Sequence, residues 1–203
     1  MTKIKICGLK RIEDIEAVNE YRPDYIGFVF ALGRKRTVTA EQAAVLRSVL
    51  SKDIKAVGVF LNNDIDFVID LADRGIIDLI QLHGDEDESY LHTLRANTEI
   101  PIIRAVRVKS TDEILAADRL PVDYLLLDTY DKNAYGGTGK VFDWRIIPKI
   151  TKPYFLAGGL DTENIAQALN VGAYCLDVSS GAETDGLKDK HKISELIQIV
   201  RRN

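Results

Sequence analysis

The chain has 203 residues, 46% hydrophobic and 29% charged, with a net charge of −4 and a pI near 5.5. That is enough for one domain with a sizeable core, residues 1–203. The acidic balance gives no field for nucleic acid or an anionic membrane, and no apolar run reaches the roughly 18 residues of a membrane span.

Only Cys7 and Cys175 carry thiols, which gives neither a disulfide framework nor a metal-ligand pair spacing. Met1 to Lys5 leads straight into a strand-like segment. No signal peptide is therefore expected, and a reducing cytoplasm fits best.

Short apolar runs alternate with helical patterns along the whole chain. A strand over Lys3 to Gly8 precedes a helix from Arg11 to Tyr21. Asp24 to Phe30 precedes a helix from Thr39 to Leu50, with Thr39 as its N-cap. Ile54 to Leu61 precedes a helix from Asp64 to Arg74, with Gly75 at its end. Asp78 to Leu82 precedes a helix near Glu86 to Arg95, and Pro101 to Val108 one near Thr111 to Ala117. Leu125 to Thr129 precedes a short helix over Asp143 to Ile150. Pro153 to Ala157 precedes a helix from Thr162 to Asn170, and Tyr174 to Val178 a last helix from Lys190 to Arg202. In that last helix Ile193, Leu196, Ile197 and Val200 fall at helical spacing.

Near-continuously apolar strands separated by helices imply a parallel sheet covered on both faces. Eight such units imply closure into a single-domain (β/α)8 TIM barrel, and this length sits at the low end for that fold. An open doubly wound sheet is the alternative, though it usually uses fewer strands. In a barrel the site lies at the C-terminal strand ends.

The first strand ends in Ile6-Cys7-Gly8. Period-two alternation turns Ile4 and Ile6 toward the helices and Lys5 and Cys7 toward the mouth. Cys7 is then either an inert buried thiol or a thiolate lowered by nearby cations. After the second strand come Arg34, Lys35 and Arg36, one of which has the fork to meet a substrate carboxylate. Gln81-Leu82-His83-Gly84 ends the fourth strand. Arg104, midway along the fifth, needs a partner; it is either structural, paired with a carboxylate in the barrel, or a functional residue of the site.

Leu127-Asp128-Thr129 ends the sixth strand and leads into a loop bearing Gly136, Gly137 and Gly139. There Asp128 is either a turn cap or an acid facing a glycine loop that closes over a substrate. Gly158 and Gly159 follow the seventh strand, and Asp177, Ser179, Ser180 and Gly181 end the eighth. These two loops form the phosphate site of many barrels, and a short helix near Ser180 would turn free N–H groups toward a dianion.

These segments together resemble the phosphoribosylanthranilate isomerase family of tryptophan biosynthesis. The resemblance runs from Lys5 to Lys190 and rests on ordered matches. Among them are Lys5-Ile6-Cys7-Gly8-Leu9, Gly27-Phe28-Val29-Phe30, Arg36-Thr37-Val38, Gly58-Val59-Phe60 and Gln81-Leu82-His83-Gly84. Further on are Leu127-Asp128-Thr129, Gly136-Gly137-Thr138-Gly139, Phe142-Asp143-Trp144, Leu156 to Leu160 and Asp177 to Gly181. Arg34 departs from the family pattern, which often has a small residue there, so Arg34 and Arg36 both stand as candidates, with Thr37-Val38 favouring Arg36.

The resemblance implies an Amadori rearrangement of a phosphorylated aminoaldose, with Asp128 as general acid and Cys7 as general base. It further implies Arg36 on the anthranilate carboxylate, His83 at the substrate, and Gly158, Gly159, Asp177, Ser179, Ser180 and Gly181 around the phosphate. No metal or cofactor is implied, because the iminium intermediate is its own electron sink. A pathway enzyme is a possible partner, and the oligomeric state is open. Indoleglycerol-phosphate synthase is the nearest alternative, but no strand here ends in the lysine acid and glutamate base expected of it. The other alternative is an inactive barrel that only binds a phosphosugar.

Overall fold

The structure, a computed structural model, describes residues 1–31, 33–129 and 141–202. The expected glycine loop over Gly136 to Gly139 lies outside the described residues. Eight parallel strands close into a barrel in chain order: β1 (Lys3–Cys7), β2 (Tyr25–Val29), β3 (Lys55–Phe60), β4 (Leu79–Leu82), β5 (Ile102–Val108), β6 (Tyr124–Thr129), β7 (Tyr154–Leu156) and β8 (Cys175–Val178). β1 completes the ring by pairing with β8, Lys5 opposite Asp177 and Ile6 opposite Val178. The fold is a (β/α)8 barrel, in which parallel pairing fixes every strand's C-terminus at one rim.

Outside the ring run α1 (Ile12–Tyr21), α2 (Ala40–Ser48), α3 (Ile65–Asp73), α4 (Glu88–Asn97), α5 (Thr111–Ala117), α6 (Ile165–Ala168) and α7 (Lys190–Arg202). Among the described residues no helix is long and apolar enough to cross a membrane. Strand alternation divides the core in two. Tyr25, Val57, Leu79, Ile103, Leu126, Phe155 and Cys175 fill the barrel interior, while Ile4, Ile6, Ile26, Phe28, Ile80, Leu125 and Leu176 pack outward against the helices. The buried face of α7 is Ile193, Leu196, Ile197 and Val200, as the spacing predicts.

Four departures from the expected elements have local causes. The segment after β6 forms only a 3-10 turn, Trp144–Ile146, because Pro148 lacks an N–H and forces the residue before it out of the helical region; Ile147 is extended at φ −68°, ψ 115°. The helix after β7 shrinks to α6 plus a 3-10 turn over Leu169–Val171, ended by Gly172 at φ 76°. α4 starts at Glu88, capped by Asp87, which accepts from Tyr90 N.

Glu86 is instead drawn back to accept from Gly84 N and Asn62 N and to pair with Arg104 at 2.7 Å. Arg104 alternates with the interior residues Ile103 and Ala105, so its carboxylate partner lies outside the barrel wall and not within it. Last, residues after β8 form an unexpected hairpin, β9 (Glu183–Thr184) and β10 (Leu187–Lys188). Its turn residues Asp185 and Gly186 both adopt positive φ, 52° and 76°, the requirement of the two-residue hairpin turn that Asp-Gly signals.

Candidate active site

Cys7 closes β1 on the inner face and is 8% exposed. Its Sγ lies against the backbone of β2 at Gly27, where a Cβ would come within 2.6 Å of the sulfur. Beneath it, Lys5 is fully buried. Its ammonium donates to Asp177 Oδ2 at 2.9 Å and to Gln81 Oε1 at 2.7 Å.

A lysine ammonium only donates, so Gln81 must turn its oxygen to Lys5 and its NH2 to the other side. That NH2 meets His83 Nδ1 at 3.0 Å. Nδ1 is then the acceptor, the ring proton sits on Nε2, and Nε2 faces Asp128 Oδ2 at 3.3 Å. This last contact is within ionic range but is not aligned as a hydrogen bond. Asp128 Oδ1 accepts from Thr129 N at 2.8 Å. One directed hydrogen-bond chain thus runs from Lys5 on β1 through Gln81 on β4 to His83, and its end stands 3.3 Å from Asp128 on β6.

Arg36 is half-buried beside this end of β1. Its aliphatic stem lies on Gly8, at φ 86°, where any Cβ would overlap Arg36 Cδ. Its guanidinium donates twice to Glu183, Nε to Oε1 at 2.6 Å and Nη2 to Oε2 at 2.7 Å. Arg34 is exposed. Lys188, nearly buried, donates to Glu183 Oε1 at 2.5 Å and to Ser179 O at 3.0 Å.

The loops after β7 and β8 meet around a concavity of about 350 Å³ lined by Gly159, Leu160, Asp161, Ser180, Gly181 and Lys192. Gly158 and Gly159 take positive φ, 88° and 68°. At Gly158 a side chain would come within 2.8 Å of Asp128 Oδ1. Ser180–Ala182 form the short helical turn expected there, and Ser179 Oγ donates to Cys7 O at 3.2 Å. A larger concavity of about 450 Å³ lies where α3 and α4 end, by Asp73, Arg95 and Asn97. It is on the opposite rim and holds none of the candidate residues.

Burial pushes the Cys7 thiol above its ordinary value, and the charges of Lys5 and Lys188 oppose that without cancelling it. The expected cations are therefore present, yet the thiol in the free protein is raised. Burial works against the Lys5 charge, but Asp177 together with the two cysteines outweighs it and holds the ammonium well above its usual range. For Glu183 burial is outweighed by Arg36 and Lys188, which hold its carboxyl down to about 2.

Three buried polar atoms near this rim make no hydrogen bond among the described residues: His83 Nε2, Thr129 Oγ1 and Asp177 Oδ1. Buried polar atoms are seldom left unsatisfied. Asp177, expected at the phosphate, is the counter-ion of Lys5 in the free protein. Lys5, Gln81, Glu183 and Lys188 were absent from the expected site. The alternation that placed Cys7 inward also placed Lys5 inward, but nothing local marked its partner.

A family model described as N-(5′-phosphoribosyl)anthranilate (PRA) isomerase matches residues 4–199. An N-(5′-phosphoribosyl)anthranilate isomerase of Endomicrobium trichonymphae is 50% identical over 99% of both chains. The crystal structure of phosphoribosyl anthranilate isomerase from Thermotoga maritima superposes with a TM-score of 0.86 at 31% identity, covering 100% of both chains. A second isomerase structure, in complex with reduced 1-(o-carboxyphenylamino)-1-deoxyribulose 5-phosphate, gives a TM-score of 0.82 at 29% identity, again over 100% of both. A family-model match over nearly the whole chain and 50% identity to a full-length relative agree: the chain belongs to the N-(5′-phosphoribosyl)anthranilate isomerase family.

Proposed function

We propose that this protein converts N-(5-phosphoribosyl)anthranilate into 1-(2-carboxyphenylamino)-1-deoxyribulose 5-phosphate, a step of tryptophan biosynthesis, by general acid–base catalysis in the cytoplasm. The observation that carries this reading is positional. Cys7 and Asp128 end β1 and β6 of one parallel barrel, and β7 and β8, with the two glycine loops, lie between them on the ring. A substrate anchored by its phosphate at those loops has the thiol on one side and the carboxyl on the other.

In this reading Asp128 protonates the furanose ring oxygen, and the bond from that oxygen to C1′ breaks. The nitrogen lone pair forms the C1′=N iminium. Cys7 then removes the C2′ proton, and the released pair forms C1′=C2′ while the iminium electrons return to nitrogen. The enolamine tautomerises to the ketone. His83 borders the substrate, and its Nε2–H steadies the carboxylate that Asp128 becomes. The raised thiol of the free protein is compatible with a base, because the iminium is cationic and favours a thiolate beside it. Lys5 adds a fixed positive charge from below.

Arg36 binds the anthranilate carboxylate. Gly158, Gly159, Ser179, Ser180 and Gly181 surround the phosphate, and Asp177 acts at the substrate through Lys5, whose ammonium it holds beneath Cys7. A relative of the same fold is a phosphoribosyl anthranilate isomerase in complex with reduced 1-(o-carboxyphenylamino)-1-deoxyribulose 5-phosphate, which supports a ligand of this class. Turnover of freshly made phosphoribosylanthranilate, followed by loss of anthranilate-type fluorescence, tests the reading. A rate no faster than the uncatalysed one would make this chain a phosphosugar-binding barrel and not an isomerase.

A further inference from the structure

Glu183 carries two cations on its carboxylate at the rim. It grips Arg36 along the Nε–Nη2 edge, 2.6 and 2.7 Å. Lys188 holds the same carboxylate at 2.5 Å, and Lys192 Nζ holds the Glu183 carbonyl at 2.7 Å. Its side chain is only 9% exposed, against 26% for Arg36. A guanidinium has two bidentate faces, and this arrangement occupies one of them.

We propose that Glu183 is a positioning residue that sets the protein's specificity for a carboxylated aromatic amine. By holding the Nε–Nη2 edge, it turns the Nη1 end of Arg36 toward the mouth and fixes the plane in which a substrate carboxylate must lie. This rests on the reading of Arg36 as the ligand of that carboxylate. Two features favour a fixed brace over a competitor that the substrate displaces. Displacement would leave a buried carboxylate with Lys188 alone, and the stem of Arg36 is already pinned on Gly8. The brace also spans the substrate. Glu183 and Lys188 are paired across the β9–β10 hairpin, and Lys188 donates to Ser179 O. The hairpin therefore ties the carboxylate end of the site to the phosphate end.

The test uses two probes, the reduced product analogue and its counterpart made from aniline, which lacks the carboxylate. Dissociation constants are measured for the wild type, Arg36→Met, Glu183→Gln, Glu183→Asp and the Arg36→Met/Glu183→Gln double variant. Arg36→Met weakens the carboxylated probe far more than the aniline one. Glu183→Gln weakens the carboxylated probe by about tenfold, the scale of one hydrogen bond to a charged group, and the aniline probe by less than about twofold. Glu183→Asp keeps the charge but retracts the fork, and shows the same selective loss in a protein that melts like the wild type. Added to Arg36→Met, the Glu183 change has no further effect.

Equal weakening of both probes by Glu183→Gln and Glu183→Asp, or tighter binding of the carboxylated probe, overturns the brace while leaving Arg36 in its role. An Arg36→Met variant that keeps the preference for the carboxylated probe overturns the Arg36 reading itself, and the brace with it.

Discussion

His83 Nε2 stands 3.3 Å from Asp128 Oδ2, and the tautomer that puts a proton there is dictated from the far side of the barrel by Lys5. Lys5 fixes Gln81, Gln81 fixes His83, and His83 presents an N–H to the acid. Replacing His83 with Asn removes that N–H and lets Asp128 shift. We expect kcat to fall by about tenfold to a hundredfold, the scale for misplacing a catalytic group, with KM changed less. Steady-state kinetics on the purified variant check this, and an equal change in both constants would place His83 on the substrate alone.

Lys5 and Asp177 form a buried ion pair, with side-chain exposures of 0% and 7%. Removing one charge strands the other in the interior, which costs roughly 3–5 kcal/mol. Lys5→Met is therefore expected to be strongly destabilised in urea unfolding. Adding Asp177→Leu should recover most of the loss. If the double variant is no more stable than the single one, the pair is not what holds this layer.

Cys7 is raised by burial and opposed by Lys5 and Lys188. Site-resolved alkylation followed by mass spectrometry should show Cys7 reacting with a midpoint above the ordinary thiol value of about 8.5. Weakening the opposing charge, as in Lys5→Met, moves the midpoint further up. A downward move in that variant would mean Lys5 does not act on the thiol.

Glu183 is depressed to about 2, against about 4.3 for an unperturbed glutamate. A depressed carboxyl stabilises the fold fully above its unfolded value and loses that contribution as pH falls through its folded value. Between pH 5 and pH 2 the unfolding free energy of the wild type should thus drop more steeply than that of Glu183→Gln. Denaturant titrations at a series of pH values compare the slopes, and identical slopes would remove Glu183 from the acid response.

Gly158 at φ 88° leaves no room for a Cβ beside Thr129 N, which would lie within 2.6 Å. Gly158→Ala combines left-handed strain of about 1 kcal/mol or more with a push on the Asp128–Thr129 turn. Both melting temperature and kcat should fall. An alanine variant with wild-type kcat would show that the acid does not depend on this packing.

The barrel was legible because its periodicities are local. Strand alternation alone separated Ile4 and Ile6 from Lys5 and Cys7, and Gln81 and His83 stand on one face because they are two apart. What escaped depends on chain closure. Lys5 and Asp177 are 172 residues apart, and Arg36 and Glu183 are 147 apart, so no window contains either pair. The β9–β10 hairpin was announced by Asp185-Gly186, but a two-residue strand has no alternation to detect. The helix expected after β6 failed at a residue in plain view, Pro148.

The central claim is that Cys7 and Asp128 carry the two proton transfers. Measuring kcat with phosphoribosylanthranilate for Cys7→Ser and Asp128→Asn tests it most directly. The account predicts losses of about 10²- to 10⁴-fold in each, with substrate still bound. A loss of less than about tenfold in both would contradict it.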